Sequence, residues 1–188
     1  ALDSGRITVN ISGRNEQIPT HFVCIASANP NGQMLARNPK LVREQIEKTI
    51  PPALISRFHL VFLLREESDE RLERAVSTIL TRKNKQNEMS CFLRDYFSYT
   101  RDECKHVEYN FDRNDRVIKK AACLVKKAIE MSRNEKLQVA VTKRLAESIR
   151  KISTSSARMR LSNTVEDLDV ENALKILTGA LSTCGLER

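Results

Sequence analysis

The spacing of apolar residues changes once along the chain, near Ser68. Before that point Ile7, Val9 and Ile11 alternate with polar residues, which is typical of a strand with one buried face. After it, apolar residues recur every three or four positions, as they do on amphipathic helices. This order of periods predicts an α/β part followed by an all-α part.

A polar stretch separates the two parts. Residues 81–88 hold no large apolar side chain, which is typical of a linker. We therefore predict the end of an α/β core over residues 1–80 and a helical subdomain over residues 89–188. The length of 188 residues suits one domain with a smaller appendage.

Two apolar runs in the first part predict buried strands. Residues 21–27 form a nearly continuous run that ends at the turn residues Asn29 and Pro30, and residues 59–64 form the second run. A short helix is predicted between them, over residues 39–48. Further helices are predicted over residues 68–80 with Ser68 as N-cap, 90–101, 112–131, 142–161 and 164–181, the last with capping-box spacing at Thr164 and Asp167.

Composition excludes several classes of protein. The longest apolar run, residues 60–64, is far shorter than the ~20 residues that cross a bilayer, and the first residues lack the apolar region of a signal peptide. The five cysteines are widely spaced and form no C-x-x-C pair, so we predict neither a disulfide framework nor a zinc site, and expect a reducing compartment.

The chain is basic, with 32 Lys and Arg against 24 Asp and Glu and a net charge of +8. Residues 143–160 alone contain six basic residues and one acidic residue on a predicted helix. Such a helix either contacts phosphates or is simply a solvated surface, and the pattern favours neither reading.

Familiar catalytic patterns are missing from the sequence. The three histidines are isolated, no Ser/His/Asp grouping is visible, and no G-x-x-x-x-G-K-[ST] loop occurs. Residues 60–66 imitate the apolar strand that ends in Asp-Glu and holds magnesium in ATPases, but Arg65 stands where the Asp belongs. Hydrolase triads and a complete phosphate-binding loop are therefore unsupported.

Two polar residues stand at the ends of the predicted strands. Asn29 follows the first apolar run, where ligands sit at the carboxyl edge of open α/β sheets, but taken by itself it is better explained as the start of the turn. Arg57 comes directly before the second run, which fixes a guanidinium on a rigid element and suits a phosphate clamp. The alternative for Arg57 is a surface ion pair.

Six motifs, taken in order, resemble the second half of the AAA+ ATPase module of the minichromosome maintenance (MCM) replicative helicases. The resemblance covers nearly the whole chain. It runs through a presensor hairpin at residues 1–13, a first-sensor strand at 22–30, an arginine-finger stretch at 44–46 and 50–58, the start of a helical lid at 93–99, a second-sensor helix at 142–161 and a last lid helix at 165–177.

The resemblance implies a partial AAA+ (P-loop NTPase-like) sheet followed by a helical lid. If the residues act as their MCM counterparts do, Asn29 would orient the attacking water. Arg57, as arginine finger, and Arg144, as second sensor, would reach the ATP of a neighbouring subunit. The family's hairpin grips DNA, and Arg6 and Arg14 are the nearest basic residues here. The cofactors implied are ATP and Mg²⁺ in the assembled ring.

The implied partners are single- or double-stranded DNA and a homo- or hetero-hexamer of MCM-like subunits, with no membrane. The implied location is intracellular, in the nucleus of a eukaryote or the cytoplasm of an archaeon. The parent protein would be an ATP hydrolase and DNA helicase. This segment alone is expected to bind no ATP and to be no enzyme, because it lacks the Walker A and B motifs.

Three departures from the family pattern keep alternatives open. Ile11 stands where the hairpin lysine falls, and His59 replaces the Asp that usually follows Ser-Arg-Phe. The two apolar runs correspond to the fourth and fifth strands of a sheet ordered 5-1-4-3-2, so they should not pair with each other in this segment. The alternatives are a non-catalytic MCM-like structural or regulatory subunit, or an AAA+ ATPase of the magnesium-chelatase or MoxR-like branch.

Overall fold

The computed structural model describes residues 6–11, 13–19, 23–30, 35–36, 38–65, 69–81 and 88–186. Within them lie two strands and seven helices. They are β1 (Arg6–Ile11), β2 (Arg14–Pro19), α1 (Pro39–Thr49), α2 (Pro52–Ile55), α3 (Asp69–Thr81), α4 (Glu88–Glu103), α5 (Arg116–Arg133), α6 (Arg144–Met159) and α7 (Asp167–Thr183).

Strands β1 and β2 form an antiparallel hairpin that runs from the Arg6–Pro19 pair to the Ile11–Arg14 pair. The turn places Gly13 at a φ of 80°, a left-handed conformation that suits glycine, and the Gly13 N–H donates to Asn10 Oδ1 at 3.1 Å. The predicted strand is therefore confirmed. Its predicted buried face is wrong, because Ile7 remains 41% exposed in an open two-stranded ribbon.

The two predicted central strands are not strands in this structure. Residues 23–29 are irregular, with Val23 88% and Ile25 94% exposed, and residues 60–65 also lack regular secondary structure. His21 and Phe22 lie outside the described residues. Among the described residues β1 and β2 are the sole paired strands, so no neighbour supplies backbone hydrogen bonds to either apolar run. The prediction that the two runs do not pair with each other is confirmed.

Residues 60–65 pack instead against the end of α7. The Leu63 N–H donates to Thr183 Oγ1 at 3.0 Å, and the Cys184 thiol lies 3.6 Å from the Val61 carbonyl oxygen. Arg65 donates to Gln138 Oε1 at 2.8 Å. Burial raises the pKa of the Cys184 thiol, which keeps it protonated in this contact. The segment is thus attached to the helical part of the chain.

The main core lies among α5, α6 and α7. Each helix contributes a buried stripe with helical spacing, which confirms the predicted amphipathic periods. The most buried members are Val117, Ala128, Leu137, Ile149, Ala157, Val170, Ala173 and Leu177. A second cluster joins α1 and α2 to this part through Val42, Ile46, Ile55, Val139 and Cys184.

The N-cap of helix α7 lies two residues later than predicted. Thr164 precedes the helix and lies in a short backbone bridge with Glu108, whereas Glu166 is the N-cap. The Glu166 N–H donates to the Asp169 carboxylate at 3.0 Å. The predicted capping box at Thr164 and Asp167 is therefore wrong, and the reciprocal pair is Glu166 with Asp169.

The described residues contain no helix that is both long enough and apolar enough to cross a membrane. All five cysteines are free thiols.

Candidate functional site

Arg57 projects from a tight turn that follows α2. Pro51 and Pro52 start this short helix, and the Arg57 N–H donates to the Leu54 carbonyl oxygen at 3.0 Å. Ile55, only 5% exposed, anchors the helix in the second core cluster. We call residues 56–58 the Arg57 turn. It holds the exposed arginine on a hydrogen-bonded turn, whereas the sequence predicts Arg57 directly before a buried strand.

Arg144 is the first residue of α6. The Thr142 hydroxyl accepts the Arg144 N–H at 3.3 Å, and the Ser148 hydroxyl donates to the Arg144 carbonyl oxygen at 3.2 Å. Leu145 is buried in the main core and fixes this end of the helix, which leaves Arg144 half-buried.

A cavity lies between the Arg57 turn and the start of α6. Its walls include Ser56, Phe58 and His59 on one side and Thr142, Leu145 and Ser148 on the other. Arg57 and Arg144 do not line the cavity themselves, but each lies in a segment whose neighbouring residues do. Asn29 does not line this cavity, and it lies in the exposed irregular stretch of residues 23–30. Its predicted place at the end of a buried strand is wrong in this structure.

A side-chain contact across the same junction joins His59 to Lys151, at 2.8 Å between Nε2 and Nζ. Partial burial and the Lys151 charge lower the pKa of His59 from its ordinary value, and Glu147 opposes them. Because an ammonium group only donates hydrogen bonds, Nε2 accepts and the imidazole proton resides on Nδ1. No sequence pattern indicates this contact, because the two residues are 92 positions apart.

Most other cations of α6 serve the fold. The Arg150 guanidinium lies 5.7 Å from the centre of the Tyr109 ring. Arg158 donates to the carbonyl oxygens of Cys104 and Lys105, at 3.1 and 3.3 Å. These contacts favour a structural role for Arg150 and Arg158 on the basic helix.

The last cation of this group clamps two helices together. Arg160 holds the Asp169 carboxylate through two hydrogen bonds, 3.1 Å from Nε and 2.7 Å from Nη2. Burial by itself raises the pKa of Asp169, but the bonds from Arg160, the Glu166 N–H and Ser156 outweigh it and lower that pKa below its ordinary value. Asp169 is fully buried, and the sequence pattern did not distinguish it from the exposed acids nearby.

Helix α5 presents a basic face. Six basic residues and one acidic residue share the side opposite its core stripe, within about 140° of the helix circumference. The basic side chains are all exposed, and Lys120 pairs with Glu171 at 3.1 Å. They are Arg116, Lys119, Lys120, Lys126, Lys127 and Arg133.

The hairpin carries its two arginines at opposite ends. Arg14 is exposed next to the Gly13 turn and pairs in register with Ile11, whereas Arg6 lies at the far end and donates to Gln17 Oε1 at 3.2 Å. Arg14 is therefore the cation nearest to the hairpin tip.

No three His, Cys, Asp or Glu side chains of the described residues lie close enough together to hold a metal ion. The arginines suit the phosphates of a nucleotide, but the described residues do not fit a site for Mg²⁺.

Comparison with known families assigns the two parts of the chain in order. Residues 1–84 match the MCM P-loop domain, and residues 91–181 match the MCM AAA-lid domain. The class is thus a P-loop ATPase-type core segment joined to an AAA lid. The chain belongs to the MCM family, as the motifs predict.

Curated relatives cover most of the chain. An MCM-type protein of Methanocaldococcus jannaschii is 29% identical over 96% of this chain, and the DNA replication licensing factor MCM4 of Arabidopsis thaliana is 31% identical over 84%. The minichromosome maintenance protein MCM of Saccharolobus solfataricus is 24% identical over the full chain. The chain spans 27%, 19% and 27% of the lengths of these three relatives, respectively.

Proposed function

We propose that the chain is the C-terminal part of the ATPase module of an MCM-type DNA helicase that acts in DNA replication. In this proposal it supplies cations to ATP held by a neighbouring subunit of a hexameric ring. The observation that carries the proposal is the junction at which the Arg57 turn and the start of α6 flank one cavity. Membership of the MCM family supports the same reading.

Hydrolysis of ATP requires positive charge from the protein near the γ-phosphate, whereas water serves as the nucleophile. Transfer of the γ-phosphoryl group to water spreads negative charge over the equatorial oxygens, and preorganised guanidinium groups stabilise that charge. Arg57 would contact the γ-phosphate as the arginine finger, and Arg144 would act as the second sensor. Asn29 would orient the attacking water in the subunit's own site once residues 23–29 pair within a complete sheet.

ATP would be the nucleotide held between subunits, with Mg²⁺ bound by its phosphates and by residues outside the described part of this chain. When bound, Mg²⁺ neutralises phosphate charge; the residues of this chain would add the two arginines. The ring would work inside the cell, in the nucleus or the cytoplasm according to the organism.

We expect the 188-residue chain to show no ATP turnover by itself and to restore turnover to related MCM subunits whose own arginine finger is replaced by alanine. The reason is that the chain offers Arg57 and Arg144 but no phosphate-binding loop. The measurement is phosphate release from the separate and the mixed proteins.

The control for this mixing experiment is the same chain with Arg57→Ala, which should restore nothing. Turnover by the chain alone above a no-protein blank would contradict the proposal that it only contributes to a shared site. A mixture that associates into rings but stays inactive would contradict the role assigned to the two arginines.

For DNA, we expect Arg14→Ala to flatten the slope of log K against log salt concentration by about 0.9 on duplex or about 0.7 on a single strand, as for one lost phosphate contact. Arg14 is the cation nearest to the hairpin tip, where Ile11 replaces the family's lysine. Fluorescence anisotropy of a labelled oligonucleotide at several salt concentrations measures the slope. Arg6→Ala is the matched control, and an unchanged slope in both variants would remove the hairpin from the DNA interface.

The second candidate is a non-catalytic MCM-like subunit. Ile11 in the hairpin and His59 next to the arginine-finger motif favour it, because both positions depart from the motor pattern. The mixing experiment separates the two candidates, since a structural subunit would join the ring without restoring turnover. The matches with MCM models over both parts of the chain support either MCM reading over the magnesium-chelatase or MoxR-like branch.

A further inference from the structure

We propose that His59 and Lys151 form a latch that positions the Arg57 turn against α6, and that the latch closes only while the imidazole is neutral. The proposal rests on the function proposed above for Arg57 and Arg144. It adds two positioning residues to that site and makes the site sensitive to pH.

The latch joins the two segments that carry the proposed phosphate contacts. His59 follows Arg57 by two residues and comes directly after the hydrogen-bonded Arg57 turn. Lys151 lies on α6, seven residues beyond Arg144, which corresponds to about 10 Å along the helix. The bond of 2.8 Å between Lys151 Nζ and His59 Nε2 therefore fixes the spacing of one arginine-bearing segment relative to the other.

Only one protonation state of the imidazole can close the latch. Neutral His59 accepts the Lys151 proton at Nε2, whereas the imidazolium ion carries protons on both nitrogens and has no acceptor. Protonation would also place two positive charges at the junction. The residues that share the cavity wall with His59 are apolar or carry hydroxyl groups, so they offer no counter-charge.

Among the described residues, the charged groups that act on His59 are Lys151 and Glu147, both on α6. Partial burial and Lys151 lower the pKa of His59, and Glu147 raises it by less. The net direction is downwards, so the latch remains closed at neutral pH and opens as the pH falls below the ordinary value of 6.5. An aspartate, which is usual at this position in the family, would stay charged over that range and would give no such response.

The lowered pKa of His59 makes the stability of the folded chain depend on pH. Because the pKa of His59 is lower in the folded protein than in the unfolded chain, the unfolded chain binds more protons below about pH 6.5. The contribution of the latch to folding is complete above that pH and is lost as the pH falls through the folded-state pKa of His59.

The first experiment is an NMR titration of the imidazole signals of the 188-residue chain, with exposed His106 as the internal reference. In Lys151→Met, which keeps the alkyl stem and removes the ammonium group, the pKa of His59 should rise towards 6.5 and amide exchange at residues 56–58 should accelerate at least threefold. Lys126→Met, an exposed lysine on α5, should change neither. An unmoved His59 pKa, or unchanged exchange in the Arg57 turn, would overturn the latch.

The second experiment uses His59→Gln, because glutamine Oε1 offers Lys151 a neutral acceptor that does not titrate between pH 5 and 8. Restored turnover in the mixing experiment should fall at least threefold for the unmodified chain between pH 7.5 and pH 5.5, relative to the same mixture made with His59→Gln. The turnover restored by the Lys151→Met chain should be low at both pH values. Equal acid loss in the unmodified chain and His59→Gln would overturn the pH-dependent latch.

The two experiments separate the latch from the proposed function. If no chain restores turnover but the titration and amide exchange respond to Lys151→Met, the function proposed for Arg57 fails while the contact between the two segments stands. If turnover is restored equally by the unmodified chain and Lys151→Met at every pH, the arginine roles stand and the latch fails.

Discussion

Arg57→Ala in the complete protein is expected to lower ATP turnover by ~10³-fold or more while nucleotide binding to the same subunit stays nearly intact. The physical reason is that an arginine finger stabilises charge that develops in the transition state at a neighbour's nucleotide, so its loss affects turnover and not ground-state binding to its own subunit. Steady-state phosphate release and equilibrium titration with a fluorescent nucleotide measure the two quantities separately.

Arg65→Ala is the matched control for this prediction. Arg65 lies eight residues further along the chain, outside the Arg57 turn, and donates to Gln138 Oε1 at 2.8 Å. Its loss should leave turnover within a few-fold of that of the unmodified protein. Nucleotide binding that falls in parallel with turnover in Arg57→Ala would show that Arg57 supports the fold rather than the reaction.

Asp169→Ala is expected to destabilise the chain by about 3 kcal/mol, the upper end of the range for hydrogen bonds to a charged group, because several such bonds are lost together. The substitution removes a fully buried carboxylate that accepts hydrogen bonds from both Arg160 and the Glu166 N–H. These bonds hold α7 against the end of α6. For a chain of this size the loss corresponds to a fall in Tm of about 6–12 °C. Denaturant titration and thermal unfolding followed by circular dichroism measure it.

Asp167→Ala is the control for the same helix, because Asp167 is exposed in the first turn of α7. It should cost less than about 1 kcal/mol, as expected for one charge near a helix N-terminus. The advantage of the unmodified chain over Asp169→Ala should shrink below about pH 3.8, since the pKa of Asp169 is lowered in the folded protein. Equal effects of the two substitutions would contradict the clamp.

The sequence by itself determined the structures that depend on neighbouring residues. Apolar residues recur at helical spacing in α5 and α7 and so indicate the buried stripe of each helix, and the Gly13 turn sets the register of the hairpin. These patterns can be recognised because each depends only on residues that are close together in the sequence. The motif order also identified the family before any contact was visible, whereas the turn that carries Arg57 was not predicted.

The tertiary structure decided everything that depends on residues far apart in the chain. A central strand needs neighbours on both sides, so the apolar composition of residues 23–27 does not make a strand where none lies beside it. The meeting of the Arg57 turn with α6, the contact of His59 with Lys151 and the burial of Asp169 follow from how the helices pack. No local pattern encodes them, because a side chain's charge and spacing do not show which distant surface will cover it.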